Sequence, residues 1–207
     1  MILIGQYDSP YIRRVAISLR LLGFAYEHDT RSVFGQFDDM RRTNPLARIP
    51  SLVLDSGETL IDSAAILDWL DENVGAERAL VPQSSSPRRE ALRRIALATG
   101  AIDKFGAANY ECLIRPSHLR WPEWVERCLT QGNGALRALD GLPWPQVAPL
   151  DQAQITTCCM YNYLKVAASP SFRRGEYPAL DALWQRLEAL PAFRATSFQE
   201  YAVPRAT

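Results

Sequence analysis

The sequence predicts an N-terminal α/β domain followed by an all-α helical-bundle domain. Strand and helix patterns alternate over the first 75 residues, and helical spacing alone follows them. A segment rich in proline and serine separates the two patterns. We therefore divide the chain into a domain at residues 1–75, a linker at 76–87 and a helical domain at 88–207.

The first thirty residues indicate a strand, a helix and a second strand. Ile2–Ile4 is a short apolar run typical of a buried strand. Apolar residues then recur at helical spacing over Tyr11–Leu22, and Gly23 ends that helix. Phe24–His28 alternates as a strand does. Two strands joined by a helix usually lie parallel, so we expect these two to pair in that sense.

The rest of the first domain predicts a short polar helix, a hairpin and a longer helix. The polar helix covers Gln36–Thr43, and the hairpin joins Ser51–Leu54 to Glu58–Ile61. Ser63 is the predicted N-cap of the longer helix, which Gly75 ends. The resulting order, β-α-β, a short helix and then β-β-α, is that of a thioredoxin-like fold.

The second half predicts helices only. Apolar residues keep helical spacing over Leu92–Leu113, Trp124–Leu139, Asp151–Val166 and Leu180–Leu190. Gly132 and Gly134 weaken the prediction for the second of these helices. Aromatic side chains commonly fill helical cores, and we expect this of the tryptophans, among them Trp121, Trp124 and Trp144.

Composition excludes several classes of protein. Of the 207 residues 47% are hydrophobic, and 23 basic residues balance 23 acidic ones. This balance argues against a binder of nucleic acid or of anionic membranes. No apolar run reaches ~18 residues, and the start lacks the basic region of a signal peptide, so we expect a cytoplasmic protein. The four cysteines form no C-x-x-C pair, which predicts buried thiols and no metal site.

A candidate site lies where the first helix begins. Ser9 is a preferred N-cap, and Pro10 is a preferred first helical residue. Glutaredoxins place C-P-Y-C here, but Ser9 and Ile12 replace the two cysteines, so dithiol exchange is disfavoured. A hydroxyl at a helix N-terminus suits a bound thiolate, because the free N–H groups stabilise an anion. The alternative is that Ser9 only caps the helix.

Two further motifs suit the ends of a peptide ligand. A cis bond before Pro50 would turn the main chain of Ile49 outward, although most X–Pro bonds are trans. Ser63, at a helix start, suits a ligand carboxylate, and the Asp62 carboxylate suits an ammonium. The alternative for Asp62 and Ser63 is a simple pair of capping residues.

Together these motifs resemble the cytosolic glutathione transferases, especially their bacterial Ser-type members. The matching stretches are Ser9-Pro10-Tyr11-x-Arg13-Arg14-Val15, Asn44-Pro45-Leu46-x-Arg48-Ile49-Pro50 and Asp62-Ser63-x-x-Ile66-Leu67-x-Trp69-Leu70. Asp151-Gln-Ala-Gln154 is similar to the capping box in the helical half of that family.

The resemblance implies an enzyme that adds the sulfur of glutathione, its co-substrate, to a small hydrophobic electrophile. Ser9 would then donate to the sulfur, and Ile49, before Pro50, would pair its main chain with the cysteinyl unit. Asp62 and Ser63 would hold the γ-glutamyl end. Arg48 would hold the glycyl carboxylate, and Gln36 is a weaker candidate for the same end. The resemblance also implies a homodimer.

Several alternatives stay open at this point. Tyr7 offers a competing hydroxyl for the sulfur, and Ala47 stands where the family often has glycine. The second substrate would lie against the first long helix of the helical half, or the same residues would be core. Those residues are Phe105, Asn109, Tyr110 and Leu113. The rival functions are a non-catalytic binding protein of this fold and a glutathione-dependent peroxidase or reductase.

Overall fold

The computed structural model describes residues 1–147, 149–167, 172 and 175–198. The first half holds four strands and three helices: β1 Ile2–Ile4, α1 Pro10–Leu22, β2 Glu27–Asp29, α2 Phe37–Thr43, β3 Ser51–Val53, β4 Thr59–Ile61 and α3 Ser63–Val74. The described part of the second half holds helices α4 Ser85–Leu113, α5 Pro122–Asp140, α6 Gln152–Ala167, α7 Pro178–Glu188 and α8 Pro191–Arg194. A short 3-10 turn at Ser117–Leu119 precedes α5. The predicted fold class is confirmed.

The four strands form one mixed sheet in the order β2-β1-β3-β4. As predicted, β1 and β2 are parallel, with Leu3 opposite His28. The hairpin of β3 and β4 is also confirmed, and β3 pairs antiparallel with β1, which sets Leu3 opposite Leu52. Leu3 and Leu52 are fully buried in the centre of the sheet.

The second strand begins later than its sequence pattern predicts. The N–H of Phe24 donates to the carbonyl of Leu19 at 2.9 Å, so Phe24 completes the end of α1 instead of joining the ladder. Pairing starts at Glu27, whose N–H donates to the carbonyl of Met1 at 2.9 Å. The alternation over Phe24–His28 therefore combined a helix cap with the start of a strand.

Helix α4 begins inside the segment predicted to be the linker. Ser85 is its first residue, and Pro87 lies in its first turn, where a missing N–H costs no intrahelical hydrogen bond. Asp71 of α3 anchors the chain before α4, since its carboxylate accepts from the N–H groups of Leu80 at 2.8 Å and Val81 at 3.0 Å. The exact division into domains stays a prediction.

One continuous hydrophobic core joins the two halves, because α1 packs against α3 on one side and α6 on the other. Gly132, expected to weaken α5, lets that helix approach α4: a Cβ there would lie 2.7 Å from the ring of Phe105. Helix α5 is continuous through this position. No helix in the described part of the chain has the length and apolarity needed to cross a membrane.

The expectation that the tryptophans fill the core is wrong for two of the three named. Trp144 is buried, and its indole N–H donates to the carbonyl of Leu139 at 3.1 Å. Trp121 and Trp124 are exposed and stack on each other, with ring centroids 6.3 Å apart. They stand at the start of α5, where the side chains face outward.

Candidate functional site

Ser9 lines a cavity between the two halves of the molecule. It is the N-cap of α1 with φ −75° and ψ 120°, and its hydroxyl makes no capping hydrogen bond. This first cavity has a volume of about 430 Å³ and is lined by Ser9 from one side and by α4 from the other. The interpretation of Ser9 as a cap alone therefore loses its basis, because the hydroxyl is not used for capping.

Tyr7, the competing hydroxyl, is turned away from this cavity. Its ring stacks on His28 with centroids 4.0 Å apart, and its hydroxyl shares a 2.9 Å hydrogen bond with that of Tyr26. Tyr7 lies in a turn after β1, because the strand ends at Ile4, so strand alternation does not relate it to Ser9. Ser9 is thus the hydroxyl of the two that lines the first cavity.

The Ile49–Pro50 peptide bond is cis. Neither the N–H nor the carbonyl of Ile49 has a hydrogen-bond partner among the described residues. The preceding Ala47 has φ +47°, a left-handed conformation that glycine adopts more readily. This positive φ explains why related proteins often have glycine at this position. In this chain Ala47 adopts that conformation.

A second cavity of about 320 Å³ adjoins the first, with Tyr11, Arg48, Ile49 and Asp103 on both. Its lining residues include the remaining predicted site residues, Pro50, Asp62 and Ser63. The six residues predicted from sequence are therefore all brought to two adjoining cavities. Gln36 is not among the lining residues of either, and its side-chain oxygen accepts from the N–H of Ser32 at 3.0 Å.

The start of α3 corrects one prediction. Asp62, not Ser63, is the N-cap, and its Oδ1 accepts from the N–H of Ala64 at 2.8 Å. Ser63 is buried, and its Oγ accepts from Nε of Arg14 at 3.2 Å and Nη2 at 2.6 Å. With both acceptor positions of the hydroxyl filled by Arg14, its proton remains to donate to a ligand.

A hydrogen bond across the two halves fixes the wall between the cavities. The hydroxyl of Tyr11 donates to Oδ1 of Asp103 on α4 at 2.5 Å. Burial, the hydrogen bond and the nearby charge of Asp103 raise the pKa of Tyr11 far above its ordinary value, so it remains a donor. Burial also lowers the pKa of Arg14, whose guanidinium lies over the Tyr11 ring, 5.4 Å from its centroid.

Only one of the four α4 residues considered for the second substrate lines the first cavity. That residue is Tyr110, whose ring meets Phe34 edge-on with centroids 6.1 Å apart. Phe105 belongs to the core, and Asn109 is buried with its amide donating to the hydroxyl of Tyr163 at 3.1 Å. Leu113 is not among the lining residues of this cavity.

Sequence reasoning missed most of the α4 face of the first cavity. Asp103, Gly106 and Tyr110 share this face, and their spacing of three and four residues is the signal that could have found them. Phe34 and Tyr163 come from distant segments, and nothing in their local sequence connects them with this cavity.

Comparison with known proteins identifies the family. Residues 3–78 match the family model described as "Glutathione S-transferase, N-terminal domain". A maleylacetoacetate isomerase of Pseudomonas aeruginosa is 30% identical over 151 residues, which cover 68% of this chain and 70% of that protein. The chain belongs to the glutathione S-transferase family. It is an enzyme of the glutathione transferase class, as its sequence predicts.

Solved structures of this family extend the likeness over the whole molecule. A glutathione S-transferase of Methylobacterium radiotolerans, in complex with glutathione sulfonate, superposes with a TM-score of 0.88 at 27% identity, covering 100% of this chain and 97% of that chain. One of Methylobacillus flagellatus with bound glutathione has a TM-score of 0.85 at 26% identity, covering 95% and 98%.

Proposed function

We propose that this glutathione transferase binds glutathione across both cavities and transfers its sulfur to an electrophile held in the first. The observation that carries the proposal is the hydroxyl of Ser9, which stands at a helix N-terminus, lines a cavity and makes no capping bond. A hydroxyl in this position is free to donate a hydrogen bond to a bound anion, which the helix N-terminus also stabilises.

The other predicted contacts of glutathione come from residues that line the two cavities. The main chain of Ile49, which has no hydrogen-bond partner among the described residues and lies next to Pro50, would pair with the cysteinyl unit. Ser63 would donate its free proton to the γ-glutamyl carboxylate, and Asp62 would accept from the ammonium. Arg48, exposed at the junction of the cavities, would hold the glycyl carboxylate.

The chemistry needs a thiolate, and the start of α1 provides for it. The helix dipole and a hydrogen bond from Ser9 stabilise the sulfur anion, which lowers the pKa of the bound thiol. With an aryl halide, the sulfur attacks the ring carbon that bears the halogen and forms a C–S bond. The C–halogen electron pair leaves with the halide, and the thiol proton has gone to solvent. No metal takes part in this proposal.

The test compares Ser9→Ala with Ser84→Ala, since Ser84 is also an N-cap serine without a capping bond but lines neither cavity. For Ser9→Ala we expect kcat/KM with an aryl halide to fall about a hundredfold, corresponding to ~2.7 kcal/mol of lost transition-state stabilisation. The thiolate absorbance of bound glutathione at neutral pH should fall too. Equal thiolate absorbance in both variants would move the role away from Ser9.

A second candidate is a glutathione-dependent isomerase, favoured by the likeness to maleylacetoacetate isomerase. The same thiolate would add to a carbon–carbon double bond, allow rotation about the resulting single bond, and leave again unchanged. Substrate screening separates this from conjugation, because isomerisation consumes no glutathione. Oxidation of glutathione by a hydroperoxide would support the peroxidase alternative, and tight binding without turnover would support a binding protein.

We also propose that the protein works in the cytoplasm as a homodimer and takes part in detoxification. These features come from the family resemblance. Sedimentation at several concentrations tests the dimer, and a monomer at micromolar concentration would contradict it.

A further inference from the structure

The charged residues of the first cavity are mostly acidic. Its lining includes Asp8, Asp103 and a single cation, Arg48, among the residues that the structure describes. Asp8 is buried and already has a partner. If Arg48 holds the glycyl carboxylate of glutathione, the electrophile meets a wall whose one accessible charge is the carboxylate of Asp103.

Asp103 is exposed and forms no ion pair with any described residue. Arg14, whose guanidinium lies over the Tyr11 ring, interacts with the charge of Asp103 without pairing with it directly. The Asp103 carboxylate accepts a hydrogen bond from the Tyr11 hydroxyl, which burial and Asp103 itself keep protonated. Because the Tyr11 hydroxyl is neutral, its hydrogen bond leaves the negative charge of the Asp103 carboxylate in place.

Aromatic and small residues form part of the remaining lining of the first cavity, beside polar ones such as Gln6 and Ser32. Phe34 from the β2–α2 loop and Tyr110 from α4 both line the cavity, and their rings meet edge-on. Gly106, which has no side chain, and Ala107, whose side chain is a methyl group, also line the cavity from α4 and leave room for a ring. Aromatic walls favour a planar, polarisable ligand.

We propose that Asp103 makes this enzyme disfavour electrophiles that carry a carboxylate, compared with uncharged electrophiles of the same shape. The proposal rests on the proposed function, since it concerns the second substrate of that same site. The proposal also argues against the isomerase function for this chain, because the substrate maleylacetoacetate carries two carboxylates, which Asp103 would repel. Like charges in a cavity of this size repel even through partial solvent screening.

The test uses two electrophiles of equal shape, chlorodinitrobenzamide and chlorodinitrobenzoate, with chlorine para to the amide or the carboxylate. Each kcat/KM is measured at saturating glutathione and divided by the uncatalysed rate with free glutathione, which removes the difference in intrinsic reactivity. We expect the native enzyme to prefer the amide by about five- to tenfold at low ionic strength. Because Asp103 is exposed, the preference should shrink as salt is added.

The decisive variant is Asp103→Asn, which keeps the shape and removes the charge. We expect its preference for the amide to fall to about twofold or less and to lose its salt dependence. Asp68→Asn is the matched control, since Asp68 is an exposed carboxylate on α3 that lines neither cavity. The control should keep the native preference.

Three results would overturn the assignment. Equal normalised rates with the two compounds in the native enzyme would show that the cavity does not reject a carboxylate. A raised KM for glutathione in Asp103→Asn, with the preference intact, would assign Asp103 to the ammonium of glutathione. If neither compound is conjugated, the proposed function fails, and calorimetry with the two finished S-conjugates still decides: equal affinities would reject the role of Asp103.

Discussion

At the scale of single residues, Asp62 performs a structural task and is proposed to perform a binding one. Its Oδ1 caps α3 by accepting from Ala64, and its φ of +68° is one that asparagine and aspartate tolerate better than most residues. The second carboxylate oxygen is the candidate partner of the γ-glutamyl ammonium. Substitution by asparagine separates the two tasks, because an amide oxygen still caps the helix.

For Asp62→Asn we expect the Kd of glutathione to rise about tenfold, the loss of one charge-assisted hydrogen bond of ~1.4 kcal/mol. The free energy of unfolding should change by less than about 0.5 kcal/mol, whereas Asp62→Ala should lose about 1 kcal/mol with the cap. Calorimetry and urea titration measure the two quantities. Unchanged glutathione affinity in Asp62→Asn would show that the charge serves no ammonium.

The buried thiols give a second prediction at this scale. Cys128, Cys158 and Cys159 are fully buried, and Cys112 is partly exposed. Burial raises the pKa of Cys159 to about 12 and that of Cys158 well above its usual range. At about pH 8 a disulfide reagent should react rapidly with Cys112 alone and with all four thiols after unfolding. Rapid native reaction of a second thiol would contradict this burial.

The same raised pKa values make stability depend on alkaline pH. Above about pH 8.5 the unfolded chain releases its thiol protons, while Cys159 in the folded protein keeps its proton until about pH 12. The free energy of unfolding therefore falls as pH rises through this window, by up to ~1.4 kcal/mol per pH unit for each such thiol. Cys159→Ala should flatten this slope, measured by urea titration at several pH values.

At the scale of elements, the start of α6 is held by a reciprocal capping box, as the sequence predicts. The N–H of Gln154 donates to Oδ1 of Asp151 at 2.8 Å, and Oε1 of Gln154 accepts from the N–H of Asp151 at 3.2 Å. The next residue, Gln152, donates its N–H to the carbonyl of Leu80 at 2.8 Å. The capped end of α6 therefore also anchors the segment between the two halves.

Asp151→Ala should lower the free energy of unfolding by about 1 kcal/mol, because the backbone N–H of Gln154 loses the carboxylate that caps it. Gln154→Ala should cost as much or more, since its amide also donates to the carbonyl of Pro145 at 3.1 Å. The double variant should lose less than the sum of the two, because the bonds are reciprocal. Strict additivity in urea titrations would mean that the two side chains act independently.

At the scale of the whole molecule, Arg13 joins the first helix to the end of the described chain. Its guanidinium is fully buried and meets the carboxylate of Glu188 with two bonds, of 2.6 and 2.7 Å. It also donates to the carbonyls of Thr196 at 3.1 Å and Phe193 at 3.0 Å. Such planar, multiple donation is specific to arginine.

Arg13→Ala should destabilise the protein by about 3–5 kcal/mol, because it removes the guanidinium that pairs with the Glu188 carboxylate and donates to the carbonyl of Thr196. Arg13→Lys should rescue only part of this loss, since an ammonium cannot donate in a fork. Arg41→Ala, which breaks the exposed pair with Asp38, is the control and should change stability far less. If lysine restored the full stability, the positive charge of Arg13 and not its forked hydrogen bonding would account for its contribution.

The order of elements and the capping residues were predictable because they depend on neighbours within a few positions. Ser9 with Pro10, the β3–β4 hairpin and the Asp151–Gln154 box are signals of this kind. Errors arose where a local pattern had a distant cause. Asp62 replaces Ser63 as N-cap because the Ser63 hydroxyl is turned inward to Arg14, 49 positions away.

The sequence by itself therefore determined the fold class, the family and the six predicted residues that line the two cavities. Only the tertiary structure decided that Ser9 faces a cavity while Tyr7 does not, that the bond before Pro50 is cis, and that Tyr11 meets Asp103. Tyr11 and Asp103 lie 92 positions apart, so no local periodicity relates them. Their meeting depends on the placement of α1 and α4 against α6, which both helices contact, and that packing results from the whole core at once.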